Sequence, residues 1–170
     1  ATDFGDTTSS GYQKTALSSS TRGVITGGRP YASGTAGTVL NTLDLVTIAT
    51  TGDATDFGDL TAGARFSMPN TAMSPTRGLF AGGKIFPSSD FVNNIESITI
   101  ATTGNTTDFG DLKDSSIAKA SFGSATRGFF AGGDSVPGQQ DNQAIEFTII
   151  SSSGGGIDFG DMTAEKAYFS

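Results

Sequence analysis

The sequence predicts an all-β protein assembled from tandem copies of one four-stranded antiparallel unit, and three observations carry that prediction. The phrase Asp-Phe-Gly-Asp occurs four times, at residues 3–6, 56–59, 108–111 and 158–161, with spacings of 53, 52 and 50 residues. Between successive copies stands Thr-Arg-Gly, followed by a short apolar run and Gly-Gly, at 21–28, 76–83 and 126–133. The apolar residues fall in short runs bounded by Gly, Asp, Asn and Ser, which are strand and turn signals rather than the amphipathic order of helices. A repeat of about 50 residues is one supersecondary unit copied, and such units are stable only when stacked on their neighbours.

The second unit illustrates the elements in order. Residues 66–74 are expected to form a first strand, and Pro75-Thr76 a turn. The apolar run 78–81 is a second strand closed by Gly82-Gly83, and a polar loop follows over 84–93. Residues 95–102 read as a third strand, with Ile98 and Ile100 on one face and Ile95, Ser97 and Thr99 on the other, because side chains alternate along a strand. Thr103-Gly104-Asn105 is a turn, and 107–112 is a short fourth strand carrying Asp-Phe-Gly-Asp. The six residues 47–52 match 99–104 residue for residue, so the same meander is expected in each unit.

The second strand is apolar on both faces in every copy: Val24-Ile25, Leu79-Phe80, Phe129-Phe130. A two-layer antiparallel protein would leave one face wet, whereas a blade in a radial array is covered on both sides, which favours a β-propeller. The expected organisation is a single repeat array over 1–170: a partial outer strand 1–6, blades at 11–60, 65–112 and 117–162, and a partial first strand at 164–170. Three blades do not close a ring. The array is therefore expected to be a segment of a longer propeller, or else to be completed by another chain, with homo-oligomerisation as the second route.

Composition narrows the chemistry. There are 24 glycines and only 16% charged residues, with no cysteine and no histidine, which removes disulfides, thiolate nucleophiles, most zinc and copper sites and the commonest general base. A net charge of −7 with scattered Lys and Arg argues against nucleic acid as a partner, and no apolar run reaches the roughly 20 residues of a membrane-spanning helix, so a soluble chain without membrane insertion is expected.

An apolar strand ending in Gly-Gly, a variable loop, a strand such as Ile98-Thr99-Ile100 and a short outer strand with an aromatic together resemble the kelch repeat. The resemblance spans the chain and implies four-stranded propeller blades. It departs in the fourth strand, where Phe4, Phe57, Phe109 or Phe159 stands in place of the usual Trp. The wording Thr-Arg-Gly-x-Phe-Ala-Gly-Gly, with Ile-Ala-Thr-Thr-Gly-Asn and Thr-Asp-Phe-Gly-Asp-Leu, is similar to repeat arrays in virion proteins of marine tailed bacteriophages. That resemblance implies a virion or extracellular location and other virion proteins as partners.

Each motif has a structural and a functional reading. Asp-Phe-Gly is the magnesium-binding phrase of protein kinases, but no histidine is present for their catalytic loop. Residues 78–84 fit a phosphate loop except that Ile85 stands where Ser or Thr is needed. Asp53, Asp56 and Asp59, like Asp108 and Asp111, offer oxygen ligands for calcium if the glycine introduces a bulge. The alternative is structural pairing of Asp56, Asp108 and Asp158 with the repeated Arg22, Arg77 and Arg127, which would fix register blade by blade. The Gly-Gly pairs are read as positive-φ positions or room for an adjacent strand, and the repeated Phe as blade-to-blade packing.

The copies disagree in the loop after Gly-Gly, at 29–42, 84–94 and 134–143. Tyr31, Phe86, Asp90, Phe91, Gln139 and Asp141 make these loops the candidate binding surface, together with the fourth-to-first connections expected on the same face. The function expected is a non-enzymatic structural or adhesive module without cofactor, such as a phage tail fibre or host-attachment protein, binding protein or a surface glycan. The alternative is a secreted or cell-surface bacterial kelch-like propeller. An enzyme would need more: a copper-radical oxidase needs histidine, with only Tyr12, Tyr31 and Tyr168 as tyrosines, and a glycosidase needs two acids from among Asp44, Asp90, Glu96 and Glu146, none of which has a distinguishing sequence context.

Overall fold

The Gly-Gly and Thr-Gly turns cut the chain into short β-prone runs, and the computed structural model pairs those runs locally into antiparallel meanders. It describes residues 2–30, 39–66, 70–85, 87–88, 90–135 and 142–165, with the side chain of residue 66 left aside. Among the described residues there is no helix. In chain order the strands are β1 (Ala16–Ser18), β2 (Arg22–Gly28), β3 (Leu40–Thr47), β4 (Thr55–Asp59), β5 (Arg65–Phe66), β6 (Asn70–Met73), β7 (Arg77–Ala81), β8 (Lys84–Ile85), β9 (Asp90–Phe91), β10 (Asn94–Thr99), β11 (Thr107–Asp111), β12 (Ser116–Ile117), β13 (Ala120–Gly123), β14 (Arg127–Ala131), β15 (Asp134–Ser135), β16 (Ala144–Ile149) and β17 (Ile157–Asp161).

Three four-stranded sheets repeat the same order: β1-β2-β3-β4 (sheet I), β6-β7-β10-β11 (sheet II) and β13-β14-β16-β17 (sheet III). Three differences from the sequence reading stand out. The expected first strand over 66–74 is represented by β5 and β6, of which β5 pairs with β8 outside sheet II. The supposed polar loop 84–93 contains a short hairpin, β8–β9, that extends this ribbon. The third strand ends at Thr99, because residues 100–102 turn.

The sheets pack face to face. Leu17, Val24, Leu43 and Phe57 of sheet I meet Phe80, Ile98 and Ile100 of the second unit. Leu79, Ile95 and Phe109 of sheet II meet Phe130 and Ile150 of the third. Sheet II is thus buried on both faces, as its doubly apolar strands demand. Each fully buried Phe or Leu contributes about 1.5–3 kcal/mol. Hydrogen bonds link the first strands at equivalent positions: Thr71 Oγ1 donates to the Ala16 carbonyl, and the Thr71 amide to Ser121 Oγ.

The Asp-Phe-Gly-Asp phrase is a β-bulge. In each sheet the third and fourth strands slip register at the same place: Leu43 faces Gly58 and Asp44 faces Asp56, Ile95 faces Gly110 and Glu96 faces Asp108, Ile145 faces Gly160 and Glu146 faces Asp158. The Phe is the extra residue, and the glycine adopts φ of 143° at Gly58 and 136° at Gly160. The phrase also staples one unit to the next. The Gly104 and Thr106 amides donate to the Phe57 and Asp59 carbonyls, and the Gly154 and Gly156 amides to those of Phe109 and Asp111. Phe4 and Asp6 receive the same bonds from Gly52 and Ala54.

A Cβ on Gly58 would stand 2.4 Å from the Gly104 oxygen, whereas one on Gly160 meets nothing within 4 Å. In dilute protein Gly160→Ala is expected to cost about 1–3 kcal/mol from backbone strain alone, and Gly58→Ala clearly more. Urea midpoints of the two variants check this; equal losses would mean that the staple does not limit the position.

Candidate functional site

The Gly-Gly pair decides where the variable loops go. Gly82 and Gly83 have φ of 67° and 101°, and Gly132 and Gly133 have 64° and 97°. Leaving the sheet through this bend, the chain forms a short ribbon with the segment that enters the same unit. Arg65 pairs with Ile85 and Phe66 with Lys84; Ser116 pairs with Ser135 and Ile117 with Asp134; Tyr12 and Arg29 form the matching bridge in the first unit. The residues that directly follow Gly-Gly and the segments that enter each unit therefore share one end of the array. The Gly83 amide also donates to the Ser116 carbonyl, so this end is continuous from the second unit to the third.

On this end Lys84 Nζ lies 4.7 Å from the centroid of the half-buried Phe91 ring, and Arg29 stacks on Tyr12 at 5.8 Å. A cation over an aromatic face is worth about 0.5–1 kcal/mol where exposed and leaves both groups able to contact a ligand. Asp90 is exposed in β9 beside Phe91. Tyr31, Phe86, Gln139 and Asp141 lie outside the described residues, as does Tyr168.

Behind this surface stands a feature that the sequence reading missed. Each sheet buries one carboxylate on its third strand, immediately after the bulge: Asp44, Glu96 and Glu146, at 1–2% exposure. Each has a cation from the start of its own unit: Lys14 at 3.9 Å, Arg65 at 2.7 Å and Lys119 at 3.2 Å. Each also holds the residue two positions after an Asp-Phe-Gly-Asp phrase. Thr8 Oγ1 donates to Asp44, the Thr61 amide and hydroxyl to Glu96 at 2.8 and 2.7 Å, and the Lys113 amide to Glu146 at 2.9 Å. Glu96 further accepts from the Ala62 amide and Thr106 Oγ1. Arg65 Nη1 reaches the carbonyls of Gly82 and Asn94, which ties the brace to the Gly-Gly bend.

Burial alone pushes the Glu96 carboxyl up, but the Arg65 guanidinium and the hydrogen bonds from Thr106, Ala62 and Thr61 outweigh it and hold the group below the usual carboxylate range. Burial draws Arg65 down, partly offset by Glu96, and the guanidinium stays charged. These acids, which the sequence offered as glycosidase candidates, each face a cation and hold a linker. The signal was present: Asp44, Glu96 and Glu146 follow an apolar residue at one fixed place in the repeat.

The repeated arginines and aspartates go to different partners, so the expected Arg–Asp ladder is replaced by another. Arg22 Nη1 donates to the Ile100 and Ala101 carbonyls of the next unit, and Arg77 Nη1 to the Ile150 carbonyl. Arg127 turns onto its own Phe147, 4.8 Å from the ring centroid. The first aspartate of the phrase caps its own bulge: Asp56 Oδ1 accepts from the Gly58 amide, and Asp158 Oδ1 from that of Gly160. Asp53 Oδ1 accepts from the Asp6 amide, and Asn105 Oδ1 does the same for Asp59. Asp108 and Asp111 occupy the equivalent places on β11. The bulge that the calcium reading required is present, yet among the described residues no group of three or more acids is placed to hold a metal ion. Phe57 and Phe109 are buried between sheets as expected, whereas Phe4 and Phe159 are exposed, because no neighbouring sheet covers them.

At the opposite end of the strands, a cleft of about 290 Å³ between sheets II and III is lined by Ser74, Thr76, Arg77, Thr99 and Ser151 with Ala125 and Ile150. Its hydroxyls and guanidinium can exchange hydrogen bonds with a polar ligand. Among the described residues its lining carries no acid. Comparison with known protein families and with curated proteins gives no match to this chain.

Removing one partner of a buried ion pair strands the other, at a typical cost of about 3–5 kcal/mol. Glu96→Ala is expected to lose that much, and Arg65→Met combined with Glu96→Leu much less; chemical denaturation of both checks it. Because the folded Glu96 carboxyl titrates below its unfolded value, its contribution is complete above the ordinary carboxylate pKa of about 4.3 and is lost as pH falls below it. Stability measured from pH 7 down to 3 should fall in the acid range, and Glu96→Gln should flatten that fall.

Proposed function

We propose that this chain is a non-enzymatic binding module in which the three sheets act as kelch-like propeller blades and the loop-bearing end contacts a surface ligand, a glycan or a protein. The observation that carries the reading is the pairing of the entry segments with the strands after Gly-Gly, which brings the segments that open each variable loop to one end. A constant scaffold with variable loops on one side is how repeat proteins build recognition surfaces. The recurring chemistry supports a scaffold role: the buried acids brace the linkers, Arg22 and Arg77 hold carbonyls of the next unit, and Asp56 and Asp158 cap bulges. The antiparallel four-stranded meanders, stacked so that sheet II is covered on both faces and closest along their first strands, support blades rather than a two-layer sandwich.

The wording of the repeat supports a virion setting, as in a tail fibre or host-attachment protein. Genes for capsid, portal and tail proteins beside the coding sequence would support that setting; secretion signals and wall anchors would support a bacterial surface protein instead.

The test is retention on a glycan array and on intact bacterial cells. Lys84→Ala with Phe91→Ala should reduce binding at least about tenfold, which is roughly 1.4 kcal/mol, while leaving the melting temperature unchanged. Binding that survives this pair but is lost with Arg77→Ala would move the site to the cleft at the other end.

A further inference from the structure

The two faces of every sheet are complementary, and the array leaves one of each unmatched. On sheet III the uncovered face is aromatic: Phe122 and Phe159 are 57% and 58% exposed and pack around Phe129, at 4.9 and 5.3 Å between ring centroids. The residues at the place of Phe122 are Leu17 in sheet I and Ala72 in sheet II, both buried against the next sheet. Their seat is a glycine: a Cβ on Gly78 would collide with Leu17 at 2.3 Å, and one on Gly128 with Ala72 at 2.8 Å. The matching glycine of sheet I, Gly23, has only Val46 Cβ near it, at 3.9 Å, and Ile48 beside it is exposed.

Two further positions follow the same pattern. Arg22 and Arg77 donate to the carbonyls of Ile100 and Ile150 in the next unit, whereas Arg127 rests on its own ring; the carbonyl equivalent to those two belongs to Ile48. Gly58 and Gly110 lie against the turn carbonyls of Gly104 and Gly154, whereas Gly160 faces open space. The equivalent turn glycine is Gly52, whose amide is occupied by Phe4 of the chain's own first Asp-Phe-Gly-Asp.

We propose that this chain binds a second copy of itself head to tail, sheet III of one copy seating on sheet I of the next in the register already used between sheets I and II and between II and III. Phe122 enters the space over Gly23, Arg127 reaches the Ile48 carbonyl, and β17 displaces residues 3–6 from Gly52 and Ala54. The displaced and entering strands carry the same Asp-Phe-Gly-Asp, so the hydrogen bonds are exchanged one for one and the aromatic face supplies the gain. The contact is heterologous, and its repetition gives a closed ring or an open filament.

Sedimentation velocity on the whole chain over a concentration series tests the proposal. The wild type should associate, and deletion of residues 1–6 should tighten that association by freeing Gly52 and Ala54. Gly23→Leu fills the seat and Phe122→Asp charges the knob, so each should be monomeric with wild-type circular dichroism and melting; Gly23→Ala and Phe159→Ser are milder versions of the same two blocks. An equimolar mixture of one seat variant and one knob variant keeps one intact interface and should form a 1:1 dimer and nothing larger. A wild type that stays monomeric, association that survives Gly23→Leu, or a mixture that stays monomeric would overturn the proposal; the second result would indicate symmetric sticking of two aromatic faces, and the first a face covered by some other partner.

Discussion

The buried carboxylate that follows the bulge on each third strand is the constraint from which the rest of the array is built. An ion taken out of water is costly unless several groups converge on it, and here they come from three places in the sequence. One is the strand itself, one is the cation entering the same unit, and one is the linker leaving the previous Asp-Phe-Gly-Asp. Satisfying Glu96 therefore fixes the linker path, the docking of β5 and the height of the Gly-Gly bend at once. A hydrophobic residue in its place would fill the volume without specifying which segment must arrive.

The bulge and the brace are one device. An extra residue in β11 lets Phe109 turn into the space between sheets, and the register slip lies between Ile95, which packs in the core, and Glu96, which faces the linker. The positive-φ glycine that permits the bulge also leaves room for the next unit's turn carbonyl. Four residues thus set strand register, core packing and the union of neighbouring units. That economy explains why the phrase recurs unchanged in all four copies while the loops beyond Gly-Gly change in length and composition.

How much of this could be read from the sequence follows from how local each interaction is. Strand count, turn positions and doubly apolar second strands depend on residues close together, and the four-stranded sheets follow the repeat. Ile98 and Ile100 on one face and Ile95 on the other were legible from alternation alone. The ribbon at 84–91 was not, because its partner β5 lies about 20 residues earlier and its strands are two residues long. The acid–base braces escaped for a related reason. Asp44, Glu96 and Glu146 keep a fixed place in the repeat, and Lys14 and Lys119 keep another, 8 residues before Arg22 and Arg127, but the second unit supplies its cation from Arg65, 12 residues before Arg77, so the cationic half of the pair has no period common to all three units. The repeated arginines misled in the opposite way: their regular spacing beside regular aspartates suggested a charge ladder, while the partners of Arg22 and Arg77 are backbone carbonyls, which every sequence has, and Arg127 rests on a ring.

The same distinction separates scaffold from function. A side chain that recurs at one geometric position is satisfied wherever the neighbouring unit is present, and little of its bonding capacity then remains for a ligand. Arg22 and Arg77 show this directly, since their guanidinium groups lie on carbonyls of the next sheet. On the reading proposed above, recognition draws on residues that break the repeat, such as Lys84 with Phe91, or on a recurring residue whose neighbour is missing, such as Phe159. The first kind distinguishes one unit from another and suits a foreign ligand. The second reproduces a surface the fold already knows how to cover, and its natural complement is another unit of the same design.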